Sequence, residues 1–202
     1  MKESYDDKRE TIKKAGLQVF TKYGYYKTTL DDIADAVGIK KNSLYYYFPN
    51  KESLFEEIVG EESVKMINSV LERVDQVAGH SEKVMVFFKE FLCYGRNKRS
   101  DISISMETLI EMGQVIEEHF HEIFDNVRSS LASILKNGME KGVFKKHDPN
   151  KVAELLIEFV TSYEREQVRK NKNISTDELD LKQLEDKIVG LVSLVVSGIV
   201  VR

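Results

Sequence analysis

The sequence is poor in residues that interrupt helices and in residues that form cross-links. Its two prolines are Pro49 and Pro149, and the stretches between them carry Leu, Ile, Val, Glu and Lys at helix-like spacing. Its single cysteine, Cys93, excludes an internal disulfide and lies among apolar residues, which favours a buried thiol over a reactive one. These scarcities predict an all-α globular chain.

The chain also lacks segments that direct a protein to or across a membrane. Its N-terminus has no basic stretch followed by an apolar run and a small-residue cleavage site. The apolar stretch from Ile188 to Val201 includes two glycines and two serines, and it is shorter than the roughly 20 residues that a spanning helix needs. We therefore expect a cytoplasmic protein in which this segment packs against another helix.

Sequence patterns for catalysis, phosphate binding and metal binding are missing as well. There is no glycine-rich phosphate loop, Gly-x-Ser-x-Gly turn or HExxH pattern. His119 and His121 are two residues apart, about 200° around a helix, so they cannot bind one metal from the same face. We expect no enzyme activity, no cofactor and no metal site.

The charge distribution separates the N-terminal quarter from the rest of the chain. Residues 1–55 hold ten Lys and Arg against eight Asp and Glu, which leaves 20 against 26 for the remainder. The net charge of −4 argues against a protein that coats nucleic acid indiscriminately. The mild asymmetry fits a small DNA-binding head on an acidic body.

The first fifty residues predict three helices. An apolar stripe over about 8–23 predicts the first. Thr29, followed three residues later by Asp32, forms a capping pattern for a second helix that closes at Gly38, and a third runs over about 41–48. A short helix, a turn with glycine and a second short helix are typical of a helix-turn-helix, whose second helix enters the major groove.

The rest of the chain predicts six longer helices, which brings the total to about nine. They run over about 51–77, 81–95, 101–113, 115–141, 149–170 and 178–201. The junctions between them include the polar run Arg96 to Ser100 and the glycine at position 113. The helix over 51–77 starts beside the helix-turn-helix and continues into the body, so it should connect the two.

The third helix has a composition suited to DNA. Helical spacing puts Leu44, Tyr47 and Phe48 toward the core. The residues that then face outward are Lys40, Lys41, Asn42, Ser43, Tyr45 and Tyr46. Their hydroxyl, amide and ammonium groups can donate to phosphates or base edges. Tyr45 and Tyr46 point outward beside two lysines, which favours a role in DNA contact. Tyr47 and Phe48 are expected instead to close the core of the three helices.

The first 55 residues resemble the TetR (also AcrR) family of regulators. The resemblance rests on the ordered segments Phe20 to Gly24, Thr28 to Ala34, Val37 to Ile39 and Ser43 to Leu54. By position it implies DNA contacts, mostly to phosphates, from Thr29, Lys41, Ser43, Tyr45 and Lys51. The sequence departs from the family at Lys40, where Ser or Thr often opens the helix, and at Asn42, where Gly is common. Operator preference therefore does not transfer.

The resemblance also implies a domain organisation and a function. Residues 1–50 would be the helix-turn-helix DNA-binding domain, and 51–202 a helical domain for ligand binding and dimerisation. We expect a homodimeric repressor that a small hydrophobic effector releases from its double-stranded operator. The alternative is an all-helical scaffold or enzyme whose helix-turn-helix is vestigial or binds a protein.

The apolar stripes of the body supply candidates for the effector pocket and the dimer interface. The pocket candidates are Phe87, Phe91, Met106, Leu109, Phe124 and Phe159. The interface candidates lie on the last two helices and are Leu155, Phe159, Leu184, Ile188, Leu191, Val195 and Ile199. Periodicity alone does not separate residues that line a pocket from residues that fill a core.

Overall fold

The computed structural model describes residues 4–101, 111–116, 121–170 and 181–201. These ranges are helical almost throughout. The helices are α1 (Tyr5–Tyr23), α2 (Leu30–Val37), α3 (Lys41–Tyr47), α4 (Lys51–Asp75), α5 (His80–Asp101), α6 (described over 111–116), α7 (His121–Glu140), α8 (Pro149–Lys170) and α9 (Leu181–Ile199). The all-α prediction with about nine helices is confirmed.

Side-chain caps set the starts of three of the first four helices. Ser4 and Thr29 each form a reciprocal capping box with the Asp three residues later, and the Asn50 side chain accepts from the backbone of Ser53 at 2.7 Å. Helix α3 begins at Lys41, and the residue at its N-cap position, Lys40, makes no side-chain capping hydrogen bond. Gly38 ends α2 in the left-handed conformation, at φ +72°, that glycine adopts without strain.

Three predicted boundaries are wrong. Helix α1 starts at Tyr5 rather than near residue 8, because the Ser4 capping box adds a polar turn ahead of the apolar stripe. The polar run Arg96 to Ser100 lies inside α5, since Lys and Arg are good helix formers and do not break a helix. Gly113 also lies inside a helix, where glycine costs only about 1 kcal/mol relative to alanine.

The apolar side chains form two cores that meet along α4. The N-terminal core contains Leu54, Phe55 and Ile58 from the first half of α4, together with buried residues of α1 to α3. The body core contains Ile67, Val70 and Val74 from its second half, packed against α5, α7, α8 and α9. One continuous helix thus contributes to both cores, and residues 51–58 pack with the N-terminal core rather than with the body core.

Helix α6 also joins the N-terminal core. Val115 is fully buried there, and Met112 and Ile116 pack against the same cluster. In the body, Phe144 pairs with Val200 in a short antiparallel bridge that joins the α7 to α8 connection to the end of α9. Within the described ranges, every helix is too short or too polar to cross a membrane.

Candidate nucleic-acid interface

Helix α3 presents one apolar and one polar face. Leu44 and Phe48 are fully buried and Tyr47 is half-buried. The residues predicted to face outward are all exposed, namely Lys40, Lys41, Asn42, Ser43, Tyr45 and Tyr46. The buried face packs the helix against α1 and α2. The polar face is therefore exposed to solvent, as a DNA-contacting surface must be.

A groove of about 390 Å³ runs between α2, α3 and the start of α4. Its walls are Tyr26, Thr28, Thr29, Leu30, Asp31, Lys41, Tyr45, Pro49, Asn50 and Lys51. Four of the predicted DNA contacts therefore share one concave surface, although they come from three different helices. Lys40, Asn42 and Ser43 stand outside this groove at the exposed start of α3.

The Thr29 hydroxyl has a structural role in addition to its predicted contact. It donates to the Asp32 carboxylate at 2.6 Å and accepts from the Asp32 backbone at 3.3 Å. The hydrogen bonds from the Thr29 side chain and backbone hold the pKa of Asp32 below its ordinary value. A phosphate that accepts a hydrogen bond from the Thr29 hydroxyl would therefore replace the Asp32 carboxylate as its acceptor.

Lys41 forms an ion pair with Asp31 within the protein itself. Its ammonium lies 2.7 Å from Asp31 at the start of α2, and this hydrogen bond raises the pKa of Lys41. Both side chains are about half exposed, 52% each. Exposed ion pairs are worth little, so a phosphate can replace Asp31 as the partner of Lys41.

Lys51 is held by the turn between α1 and α2. Its ammonium donates to the backbone oxygen of Tyr25 at 2.9 Å and lies 4.2 Å from the centre of the Tyr25 ring. The Tyr25 ring is buried against Phe20 and Phe55, and its hydroxyl donates to Glu52 at 3.1 Å. Burial and this bond raise the pKa of Tyr25 to about 12, so it stays a neutral donor.

Tyr46 differs from Tyr45 in its surroundings. Tyr45 lines the groove, whereas the Tyr46 ring packs edge-on against Tyr5 at 5.6 Å and Tyr47 at 5.3 Å. Tyr5 in turn stacks on Tyr47 at 4.9 Å. The prediction treated Tyr45 and Tyr46 as one solvent-facing pair. Tyr46 is exposed, but it belongs to an aromatic cluster that joins α1 to the end of α3.

Sequence reasoning missed Arg9, which holds the end of α3. Its guanidinium donates to the backbone oxygen of Tyr47 at 2.7 Å and lies 4.2 Å from the centre of the Phe48 ring. It also forms a two-bond pair with the carboxylate of Glu57 on α4. One side chain from α1 therefore fixes the recognition helix against α4.

Lys13, one turn after Arg9, extends this network. Its side chain is only 6% exposed, and its ammonium contacts Glu10, Glu57 and Glu61. Burial by itself would lower the pKa of Lys13, but the three carboxylates raise it above its ordinary value. Burial would likewise raise the pKa of Glu57, but Arg9 and Lys13 hold it down. The sequence does contain a pattern that indicates this network. Two basic residues four apart, at 9 and 13, match two acidic residues four apart, at 57 and 61.

Three of the six predicted pocket residues have side chains that the structure describes. Phe87 is fully buried in the body core, with its ring 5.6 Å from Phe88, and Phe91 is half-buried beside it. Phe159 is 41% exposed on α8, apart from the buried residues of the body core. Met106 and Leu109 lie outside the described residues, and only the backbone of Phe124 is described.

The predicted dimer residues divide between two faces. Leu184 and Ile188 are buried in the core of the chain itself, with Val192 and Val196 following at the same spacing, so their assignment to the interface is wrong. Ile199 packs against that core as well, and Leu191 is half-buried. Most of the apolar stripe of α9 therefore faces the core of the chain itself.

A second set of apolar residues on α8 and α9 is exposed, and this set is called the outward stripe below. Leu155 and Phe159 on α8 are 54% and 41% exposed, and Val195 on α9 is 36% exposed. Leu194, which the prediction did not include, is 73% exposed.

Cys93 is half-buried rather than buried, and its thiol lies 3.6 Å from the Glu185 carboxylate. In the part of the chain that the structure describes, no cluster of His, Cys, Asp or Glu has the grouping of a metal site.

Comparison with known proteins places the helix-turn-helix in a family. The family model of the bacterial regulatory proteins, tetR family, matches residues 12–58. The HTH-type transcriptional regulator YhgD of Bacillus subtilis is 25% identical over 75% of this chain and 79% of its own length. The negative regulator IcaR of the biofilm operon icaADBC in Staphylococcus aureus is 54% identical, but the match spans only 21% of this chain and 23% of IcaR.

Solved structures share the fold over nearly the whole chain. The transcriptional regulator FadR of Bacillus subtilis, in complex with stearoyl-CoA, superposes with a TM-score of 0.70 at 21% identity. The superposition covers 94% of this chain and 98% of FadR. The fold of the body, which periodicity outlined only as a set of helices, is thus shared with a regulator. Residues 12–58 thus carry the N-terminal sequence of the tetR family of bacterial regulatory proteins, on a chain whose overall fold is that of solved transcriptional regulators.

Proposed function

We propose that the protein is a homodimeric repressor that releases its operator when a small hydrophobic molecule binds in the body. The groove beside α3 carries the DNA-binding part of this proposal. Thr29, Lys41, Tyr45 and Lys51 converge there with hydroxyl and ammonium groups that suit phosphate oxygens. The exposed polar side chains at the start of α3 are those that a recognition helix presents to base edges.

The outward apolar stripe on α8 and α9 supports dimerisation. Leu155, Phe159, Leu194 and Val195 leave large apolar side chains in water in a single copy. Two copies related by a two-fold axis would bury them in a four-helix interface. Dimerisation would also set two recognition helices about 34–36 Å apart, or a multiple of that spacing, to match two half-sites.

The course of α4 supports control by an effector. Its first half is packed in the N-terminal core and its second half in the body core, so a displacement in the body reaches the groove through one rigid element. The similarity to a FadR bound to stearoyl-CoA supports a hydrophobic effector, and the similarity to the negative regulator IcaR supports repression.

Selection of DNA from a random duplex pool tests the DNA-binding part. The protein should retain a two-fold symmetric sequence, and its affinity should fall as salt rises. Lys51→Ala should weaken binding to all sequences alike and reduce the slope of log affinity against log salt by about one unit. Retention of no duplex at low salt would favour the alternative of a scaffold or enzyme with a non-functional helix-turn-helix.

The effector part needs a measurement in both directions. Stearoyl-CoA is a suitable first probe because a regulator of the same fold was solved with it. A true effector should lower operator affinity by about 5- to 150-fold, and saturating operator should weaken its own binding by the same factor. Tight binding of a probe that operator DNA leaves unchanged would contradict allosteric release for that probe.

A further inference from the structure

A carboxylate of the body lies directly on the turn between α1 and α2, residues 24–28. One oxygen of Glu111, on α6, accepts a hydrogen bond from the backbone N–H of Tyr26 at 2.6 Å. The other oxygen faces Gly24, where an added Cβ atom would lie 2.6 Å from it. Gly24 also has φ +85°, so glycine serves both the turn and the close approach of the carboxylate.

Glu111 is held in this position by apolar docking of its own helix. Val115 is fully buried in the N-terminal core, and Met112 and Ile116 pack on the same cluster. Residues 112, 115 and 116 share one face of a helix, and Glu111 lies at the edge of that face. The contact is therefore part of a packed junction, unlike an isolated ion pair on the surface.

The turn that Glu111 holds is one wall of the groove described above. Tyr26 and Thr28 line the groove directly, and Tyr26 is 62% exposed at its mouth. Helix α4 holds the same turn from the other side, through the bond from the Lys51 ammonium to the Tyr25 oxygen. Adjacent residues of the turn are thus fixed by two separate elements, α4 and α6.

We propose that Glu111 is a positioning residue for operator binding, and that it connects the body to the groove in parallel with α4. The proposal rests on the DNA-binding function proposed above. A rearrangement that draws α6 away from the turn removes the acceptor of Tyr26 and releases one wall of the groove, even where α4 stays in place. By reciprocity, bound operator stabilises the docked position of α6.

Three variants of α6 test the proposal in the full-length protein. Glu111→Ala removes the acceptor, Glu111→Gln keeps an oxygen at the same reach, and Gln114→Ala changes an exposed residue of the same helix as a control. Operator affinity is measured by fluorescence anisotropy with a duplex that the parent protein selected. Amide hydrogen exchange of residues 24–28 is measured alongside, together with the Tm.

Glu111→Ala should weaken operator binding by about three- to tenfold, the range expected for one lost hydrogen bond. Exchange at Tyr26 should become faster while the Tm and the exchange of the rest of the N-terminal core stay at parent values. Glu111→Gln should retain most of the affinity, and Gln114→Ala should match the parent.

Parent-like operator affinity in Glu111→Ala would overturn the proposal, and so would unchanged exchange at Tyr26. A lowered Tm with faster exchange across the whole N-terminal core would show a merely structural role, which also overturns it. If the parent protein selects no duplex, the proposed DNA-binding function fails. Local exchange at Tyr26 would then still report whether Glu111 holds the turn, so the two failures are distinguishable.

Discussion

The N-terminal core and the body core differ in how much polar chemistry they contain. In the described part of the chain, the buried polar side chains are Lys13, Thr21, Thr28 and Ser63, none of which lies beyond the middle of α4. The body core is built from Val, Leu, Ile, Phe and Ala. Directional bonds fix one arrangement of helices, whereas apolar contacts tolerate repacking. A DNA-binding surface needs helices in fixed positions. A ligand pocket benefits from a core that tolerates repacking.

We expect the largest loss of operator affinity from charged substitutions in the outward stripe. These variants test whether the body contributes to DNA binding through dimerisation. Leu194→Glu combined with Phe159→Glu should yield a monomer and reduce operator affinity by about a hundredfold or more, since a single half-site loses the gain from bivalency. Light scattering and anisotropy measure the two effects. Lys136→Glu, at an exposed site on α7, is the control. A charged variant that remains dimeric would refute this interface.

Arginines in the two regions allow a direct comparison of their polar contacts. Arg9→Ala removes the bonds to the Tyr47 oxygen and to Glu57, so we expect a loss of about 2 kcal/mol in the free energy of unfolding and weaker operator binding. Arg128→Ala breaks a pair with Asp125 on the surface of α7 and should change stability by less than about 0.5 kcal/mol. Urea denaturation gives both values. Equal losses would remove the distinction between the two regions.

Two tyrosines of similar exposure sharpen the comparison within the N-terminal domain itself. Tyr45 is 44% exposed and lines the groove, whereas Tyr23 is 49% exposed and lies in a cleft between α1 and α2. Tyr45→Phe should weaken operator binding by about three- to tenfold through loss of a phosphate hydrogen bond. Tyr23→Phe should leave binding unchanged. Anisotropy titrations in which both variants behave alike would show that the groove is not the DNA contact.

The smallest expected effect concerns the partner of Lys41. Asp31→Asn removes a carboxylate from the groove and leaves Lys41 available to phosphate, so operator affinity should rise by about twofold. Asp35→Asn changes an exposed carboxylate of the same helix outside the groove and should have no effect. Titrations at low salt measure this difference best. Weaker binding in Asp31→Asn would mean that the ion pair positions Lys41 for DNA.

The sequence by itself determined the first three helices, apart from the start of α1, and the faces of α3. Capping residues such as Thr29 and Asp32 act within one helical turn, and glycine at position 38 satisfies a local backbone requirement, so no distant residue is needed to read them. Burial of Leu44 and Phe48 followed from helical spacing for the same reason. The resemblance of this segment to the TetR family is also carried by the local sequence.

The tertiary structure decided which of several apolar or charged faces meet. Leu184 and Leu194 lie on one helix and are equally apolar, yet packing against α5 and α8 buries the first and exposes the second. Arg9 reaches Glu57 across 48 residues, and Glu111 reaches Tyr26 across 85. Periodicity specifies that a helix has an apolar face, but its partner depends on how all helices pack at once, and that information is not local to any segment.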